Sequence, residues 1–302
     1  LHVHKLNPLP DSCLSIPASE RMDFHTHSTC SDGSLTVQQL AQMAEQKGVY
    51  LLAVTDHDQT DHFAEVAAYT GPVALVMGTE LTCTSALHPG FFHLLVYFDK
   101  SSLATNEFRR FKQKLDAMRE TRRRRMRQLY LSLKLPFSYK EFLQFHQTLQ
   151  SKIFMRVHIA KFLVLKGLVS SIQAAFDEYL QGDVESEYFN LEDEIRRCAK
   201  MRTVCCLAHP MMLLRDQEVE FERLTRAFRS WGAMGLGLVE VEHPSVTAAE
   251  RGYLYQVCSR FGFQPSVGSD FHNEERAKNW GAGLGNERGW QELCKHFDGA
   301  QS

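Results

Sequence analysis

Short apolar runs that end in a histidine or an acid recur along this chain with helical patterns between them, and that alternation restricts the fold more than any other feature. Met22-Asp23-Phe24 runs into His25-Thr26-His27 and then, through a Ser/Thr/Cys turn, into Asp32-Gly33. Tyr50 to Val54 reads as a buried strand and delivers Thr55-Asp56-His57-Asp58. Val73 to Met77 ends in Gly78-Thr79-Glu80, and Phe91 to Phe98 is another apolar run with His93 near its start. Later, Thr203 to Ala208 ends at His209, Gly235 to Val241 at Glu242-His243, and Pro265 to Val267 at Gly268-Ser269-Asp270-Phe271-His272. Between these runs lie helices. Ser34 or Thr36 caps one that carries Val37, Leu40, Met43 and Ala44 on a single face, and Gly48 stops it. Alternating strands and helices predict a mostly parallel sheet. In such sheets, open or closed into a barrel, chemistry gathers where strands end.

From about Ser101 to Asn190 the character changes. Residues 101–134 hold eleven Lys/Arg against three Asp/Glu, a local charge of +8 in a chain whose net charge is −2. Phe108, Phe111, Leu115, Met118, Met126, Leu129 and Leu133 keep helical spacing, and further helical stretches are expected over 138–150, 153–167 and 170–180. We therefore read 101–190 as a helical insertion. It divides a strand–helix unit made of 21–100 and 191–290, flanked by an N-terminal extension (1–20) and a C-terminal tail (291–302). His2 and His4 lie in that proline-bearing extension with no strand behind them, which leaves them without a fixed geometry.

At 302 residues the chain can bury one large α/β core. No apolar run approaches the ~20 residues that span a bilayer, and the N-terminus lacks the pattern of a secretory signal. Eight cysteines are scattered with no CxxC, so the expectation is a reduced, cytoplasmic protein with no obligate partner. Cys30, inside the first motif, reads as a small filler residue.

His25 and His27 stand two apart, which on a strand puts both imidazoles on one face. Alone, such a pair is weak. With Asp32, His57, Glu80, His93, His209, Asp270 and His272, however, nine imidazoles and carboxylates are placed at one rim. Burying so many ionisable groups without counter-charge costs several kcal/mol per ion, and divalent cations are the obvious compensation. The donors are nitrogen and oxygen with no thiolate, which fits Mn, Zn, Fe or Mg in open sites rather than a closed structural zinc. More ligands than one ion can take imply two or three ions, with manganese the first choice. Such clusters polarise a phosphoryl group and lower the pKa of a bound water, so hydroxide attack on phosphorus is the expected chemistry. Amide and lactone hydrolases use similar rims. Asp32, His57 and His209 are the candidates for catalytic work.

DFHTHSTCSDG, AVTDHD, GTE, FHLLVY, CLAHP and GSDFH, in this order, resemble the polymerase-and-histidinol-phosphatase (PHP) family of metal-dependent phosphoesterases. The stretches from Arg156 to Val164 and from Ala175 to Leu180 resemble its ribonuclease AM, or 3′,5′-nucleoside-bisphosphate phosphatase, subgroup. The resemblance covers about residues 22 to 285. It implies an α/β fold, a distorted (β/α)7 barrel with a helical insertion, and a centre of two or three metals. It also implies that His25, His27, Glu80 and Asp270 hold the first metal, and that Glu80 bridges to a second one shared with His93 and His209. Asp32, His57 and His272 then hold the third. The implied activities are removal of the 3′-phosphate from nucleoside 3′,5′-bisphosphates and 5′→3′ trimming of short RNA. Two departures stand out. Gln181 to Tyr188 is acidic where the subgroup carries a lysine, and His209-Pro210-Met211-Met212 lacks the usual arginine, although Arg215 follows. A phosphatase for a small non-nucleotide ester is therefore the first alternative, and a non-catalytic, metal-stabilised RNA-binding protein the second.

Arg122 falls where the apolar stripe of its helix wants a hydrophobic residue. It is expected either to turn inward and grip substrate phosphate or to snorkel at the surface. The Arg122–Arg125 run either tracks an RNA backbone or forms a solvated face. Arg156 and His158 lie about 200° apart on a helix, and the resemblance places both near the substrate. Asp58 is expected either to orient the His57 imidazole or to cap a helix.

Overall fold

The computed structural model describes residues 21–181, 188–201, 203–212 and 221–273. The first half of the barrel is β1 (Arg21–Thr26), α1 (Val37–Gln46), β2 (Val49–Val54), α2 (Phe63–Ala68), β3 (Ala74–Thr84) and β4 (Phe91–Phe98). A 3₁₀ turn at Lys100–Ala104 leads to four helices: α3 (Asn106–Ser132), α4 (Tyr139–Thr148), α5 (Arg156–Leu165) and α6 (Ile172–Glu178). The chain then returns through β5 (Phe189–Asn190), α7 (Leu191–Met201), β6 (Val204–Ala208), α8 (Phe221–Met234), β7 (Leu238–Glu242), α9 (Ala248–Phe261) and β8 (Gln264–Val267).

Local chemistry fixes the helix starts. Thr36, Ser138 and Thr247 each form a reciprocal capping box with the Gln or Glu three residues on. Gly262 closes α9 at φ 77°, a conformation that costs glycine nothing.

The sheet order is β1-β2-β3-β4-β6-β7-β8, with β5 against β3. It curls until its ends meet, where Thr26 bridges Phe271 in parallel and the His27 N–H donates to the Phe271 carbonyl at 2.9 Å. The expected βα rhythm breaks once. β3 does not stop at Met77 but continues through Glu80 to Thr84, and β4 returns directly beside it, antiparallel to both β3 and β6. Reversal brings the start of β4 level with the ends of its parallel neighbours, and His93 pairs with Thr82 at that rim.

Two apolar cores result. One lies between sheet and helices, with Trp231, Phe92, Phe228 and Phe271 fully buried. The other is built by α3–α6 around Met126, Tyr130, Phe142, Phe162 and Leu163. α3 serves both: Phe111, Leu115 and Met118 pack on the first core, Met126 and Tyr130 on the second. No helix among the described residues is long and apolar enough to cross a membrane.

Candidate metal centre

Glu80 is the hub of the rim. Its carboxylate is fully buried in mid-strand, and Oε2 lies 3.2 Å from His25 Nε2, 3.2 Å from His27 Nε2 and 3.1 Å from His57 Nδ1. Oε1 lies 2.6 Å from His93 Nδ1 and 3.3 Å from His209 Nε2. Asp270 Oδ1 stands 3.1 Å from His27 Nε2 and 3.5 Å from His25 Nε2. On the far side of His27, Asp32 is 3.3 Å from His272 Nε2 and 3.9 Å from His57 Nε2. The structure thus brings all nine sequence candidates together, in overlapping groups that share His25, His27, His57 and Glu80.

Strand geometry accounts for the meeting. His25 and His27 alternate inward along β1 and its extension, and Glu80 projects from β3. Asp270 and His272 follow β8, where Phe271 pairs back to β1. Gly33 is required at the turn, since a Cβ there would sit 2.1 Å from the His27 carbonyl oxygen. Three non-glycine residues at the rim take positive φ: Asp58 (46°), His209 (24°) and Asp270 (51°). Backbone of this kind is held by its surroundings and collects at functional sites.

The donor set fits divalent cations. His25 Nε2, both nitrogens of His27, Nδ1 of His57, His93 and His209, and Oε2 of Glu80 are buried without a hydrogen-bond partner of acceptable geometry, although His25 Nε2, His27 Nε2 and His57 Nδ1 all crowd within 3.2 Å of Glu80 Oε2. Nitrogen and oxygen atoms gathered around a common point without pairing are the arrangement that ligands of a shared cation present. Every ion-pair partner of Glu80 among the described residues is an imidazole, so no Lys or Arg offsets its charge.

The electrostatics agree. Burial opposes charge on His27, but Asp270 and Glu80 overcome it and hold the imidazole up to about 10. His25 is likewise raised, against burial, by Glu80 and Glu240. Glu80, Asp32 and Asp270 are held well below the usual carboxylate range, again against burial, by the surrounding histidines. Protons on His25 and His27 therefore stand in for positive charge. His57 is driven by burial down to about 4 and is neutral at physiological pH, with lone pairs available.

Glu240 is the residue that sequence reasoning missed. It is fully buried on β7; Oε1 meets His25 Nδ1 at 3.1 Å and Oε2 accepts the His209 N–H at 2.7 Å. A carboxylate on the second nitrogen of a ligating imidazole fixes its tautomer and orientation. A Cβ on Gly268 would lie 2.1 Å from Glu240 Oε1, so this glycine keeps the space the carboxylate needs. The only signal was an acid on the inward face of a buried strand. His243 also reaches the rim, its ring 5.4 Å from that of His209.

Other candidates fall elsewhere. Arg122 turns to the barrel, where its Nη2 donates to Asp58 at 2.5 Å. Asp58 neither orients His57 nor caps α2; its carboxylate accepts from the Thr82 N–H and hydroxyl as well as from Arg122. Arg156 and His158 are not among the converging ligands. The Arg156 guanidinium lies 5.5 Å from the Phe176 ring centroid, with Nη1 donating to the Leu180 carbonyl at 3.5 Å. His158 is completely buried against His146, and burial pushes it down to about 3. It belongs to a seam that clamps the Asp32 loop: Lys161 Nζ donates to the Asp32 carbonyl at 2.8 Å, Lys152 N–H to the Cys30 carbonyl at 2.9 Å, and the Ser151 hydroxyl to the Ser31 carbonyl. The acidic segment 182–187, Arg215, His2 and His4 lie outside the described residues.

Comparison with known proteins gives a consistent picture. The PHP domain matches residues 23–242. A 5′-3′ exoribonuclease of Haemophilus influenzae is 28% identical over 286 residues, covering 93% of this chain and 95% of its own. A 3′,5′-nucleoside bisphosphate phosphatase of Chromobacterium violaceum is 28% identical over 263 residues, covering 83% of this chain and 87% of its own. Among solved structures, an amidohydrolase of Chromobacterium violaceum with bound sulfate superposes with a TM-score of 0.69 at 25% identity, over 84% of this chain and 88% of that one.

Proposed function

The chain belongs to the PHP domain family and is a metal-dependent phosphoesterase, and we propose that its substrate is a nucleoside 3′,5′-bisphosphate or the 5′ end of a short RNA. The observation that carries the metal-dependent reading is the buried Glu80 carboxylate ringed by five imidazoles, four of which (His25, His27, His57 and His93) face it with nitrogens that make no hydrogen bond of acceptable geometry. The relatives' activities support the choice of a nucleotide.

His25, His27, Glu80 and Asp270 would hold one ion, Glu80 with His93 and His209 a second, and Asp32, His57 and His272 a third. Manganese is our first choice. Bound there, divalent ions supply charge neutralisation at phosphoryl oxygens and acidify water. The chain's own residues do the rest. Anionic Asp32 stands beside neutral His57 at the open side, where side-chain exposure is 8% for both and 16% for His272, and its second carboxylate oxygen can take a proton from water there. Glu240 orients His25, and its carboxylate anchors His209 by accepting the His209 backbone N–H. Arg122, held by Asp58 beside His57, offers the remaining N–H groups of its fork to a phosphate at the mouth. Six buried free thiols among the described residues fit our reading of a cytoplasmic enzyme.

With Mn²⁺ the protein should release phosphate from a nucleoside 3′,5′-bisphosphate, and His27→Ala should abolish release. Metal-loaded protein that turns over no phosphoester across a panel of nucleotides, RNA and sugar phosphates would sink the proposal. Faster turnover of sugar phosphates than of bisphosphates would favour the second reading, a small non-nucleotide ester. That reading is motivated by Asp183, Glu185 and Glu187 in the segment where the ribonuclease AM subgroup carries a lysine. Hydrolysis of an amide in the same panel would redirect the assignment toward acyl chemistry.

A further inference from the structure

α3 carries a second kind of chemistry one stripe away from Arg122. Arg122 is committed to Asp58, and Arg119 to Asp61 and Asp116. Glu120, Arg123, Arg124 and Arg127 follow i, i+3, i+4, i+7 spacing and share the adjoining face. With Tyr139 of α4 and Phe154 they line a cavity of about 540 Å³. Its charge is three guanidinium groups against one carboxylate. The Glu120–Arg123 pair is 3.8 Å apart with both side chains about 60% exposed, so it neutralises little. The rings are fixed in place: Phe154 stacks on His146 at 3.9 Å between centroids with 6° between planes, and the Arg127 guanidinium lies 5.9 Å from the Tyr139 centroid. Arg125, on the same helix, keeps a buried Nη1 with no hydrogen-bond partner among the described residues.

Planar cations beside immobilised aromatic rings suit single-stranded nucleic acid, whose phosphates take the arginine forks while bases stack on rings. An acidic peptide would use the arginines and leave the rings without a role. The cavity also runs alongside Arg122 on the same helix, its last arginine, Arg127, lying about 7.5 Å of rise beyond residue 122. We propose that this groove binds the nucleotides that follow the 5′ end of a short RNA seated at the metal centre. The inference rests on the nucleotide reading above and deepens it, because a mononucleotide phosphatase needs no such groove and an exonuclease does.

The test is a comparison of the metal-loaded wild type with Arg123→Ala/Arg127→Ala, two exposed positions outside the metal centre. Fluorescence anisotropy with a phosphorothioate-linked, 5′-phosphorylated oligoribonucleotide, titrated with salt, reads the groove directly. The double variant should bind about tenfold more weakly and lose about 1.4 from the slope of log K against log salt, the single-strand value for two phosphate contacts. Glu120→Gln should bind more tightly than wild type. Turnover of a nucleoside bisphosphate should be the same in all three. Wild-type affinity and slope in the double variant, or a wild type that does not bind the oligonucleotide, overturns the groove. Loss of the nucleotide reading looks different: no turnover of either substrate by the wild type, whatever the anisotropy shows.

Discussion

At the barrel rim, Asp32, Glu80, Glu240 and Asp270 are buried within reach of seven imidazoles, whereas the buried side chains of α3–α6 carry no carboxylate and are apolar apart from the Tyr130 hydroxyl, His146 and His158. The two regions owe their order to different things. The helical region is closed by apolar packing, with Tyr130 stacked on Phe142 at 4.9 Å and Phe142 edge-on to Phe162 at 5.6 Å. Such a core is complete as a polypeptide. The rim is not. Among the described residues the ion-pair partners of Glu80 are all histidines, and in the absence of a cation the neighbouring carboxylates favour protons on His25 and His27. One region is stable because it needs nothing further; the other is reactive because its charges remain to be satisfied.

Substitutions on either side can break this contrast. The largest effect is expected from Glu80→Gln, which removes the charge that five imidazoles surround: phosphoesterase activity should fall at least about 10³-fold, on the scale of losing a preorganised electrostatic group, and bound metal should fall with it. Retained activity would mean that Glu80 is scenery. In the helical region, Phe142→Ala should cost about 3–5 kcal/mol in a denaturant titration, as for other buried aromatics, while metal content per folded chain stays at the wild-type value. A drop in stoichiometry would show that the regions are not separable in this way.

A finer test is Glu240→Gln, which keeps the shape and removes the charge behind His25. Metal affinity should weaken about 10- to 100-fold in a competition with a chelating dye. Unchanged affinity would reduce Glu240 to a packing group.

The smallest effect is the pH signature of the metal-free rim. His27, held up to about 10, adds stability that is complete below its unfolded value near 6.5 and is lost as pH rises through about 10. Asp32, Glu80 and Asp270, held low, add stability above about pH 4.5 that is lost as pH falls. Chelated protein should therefore melt highest between about pH 4.5 and 6.5 and weaken on the alkaline side. Metal-loaded protein should lack that alkaline loss, and adding metal at pH 8 should release about two protons, from His25 and His27. A silent pH-indicator dye would contradict the idea that protons occupy the place of cations.

Much of this was legible along the chain. Thr36, Ser138 and Thr247 announce their helices through local hydrogen bonds, and the apolar runs announce strands, because both signals depend only on neighbours. The nine rim candidates were legible for a similar reason, since all but Asp32, which follows a Ser/Thr/Cys turn, stand within an apolar run or at its end. Glu240 was not. An acid inside a strand is ambiguous until one knows that His25 and the His209 backbone come within 3.1 Å of it from β1 and β6. The surroundings of Arg156 and His158, expected near the substrate, depend on packing in the same way. Their helical spacing gave no direction, and packing turned one onto Phe176 and hid the other behind the Asp32 loop.

Residue order alone determined which groups were available: nitrogen and oxygen donors without thiolates, a strand–helix rhythm, and a basic helical stretch between two halves. Tertiary structure decided what those groups face. The antiparallel return of β4 puts His93 at the rim, closure of β1 on Phe271 brings Asp270 to His27, and α3 turns Arg122 toward Asp58 while leaving Arg123 and Arg127 to a different groove. Composition and spacing act over a few residues. Which buried charges share a cation depends on contacts between strands up to about 245 positions apart, and only the closed barrel sets those.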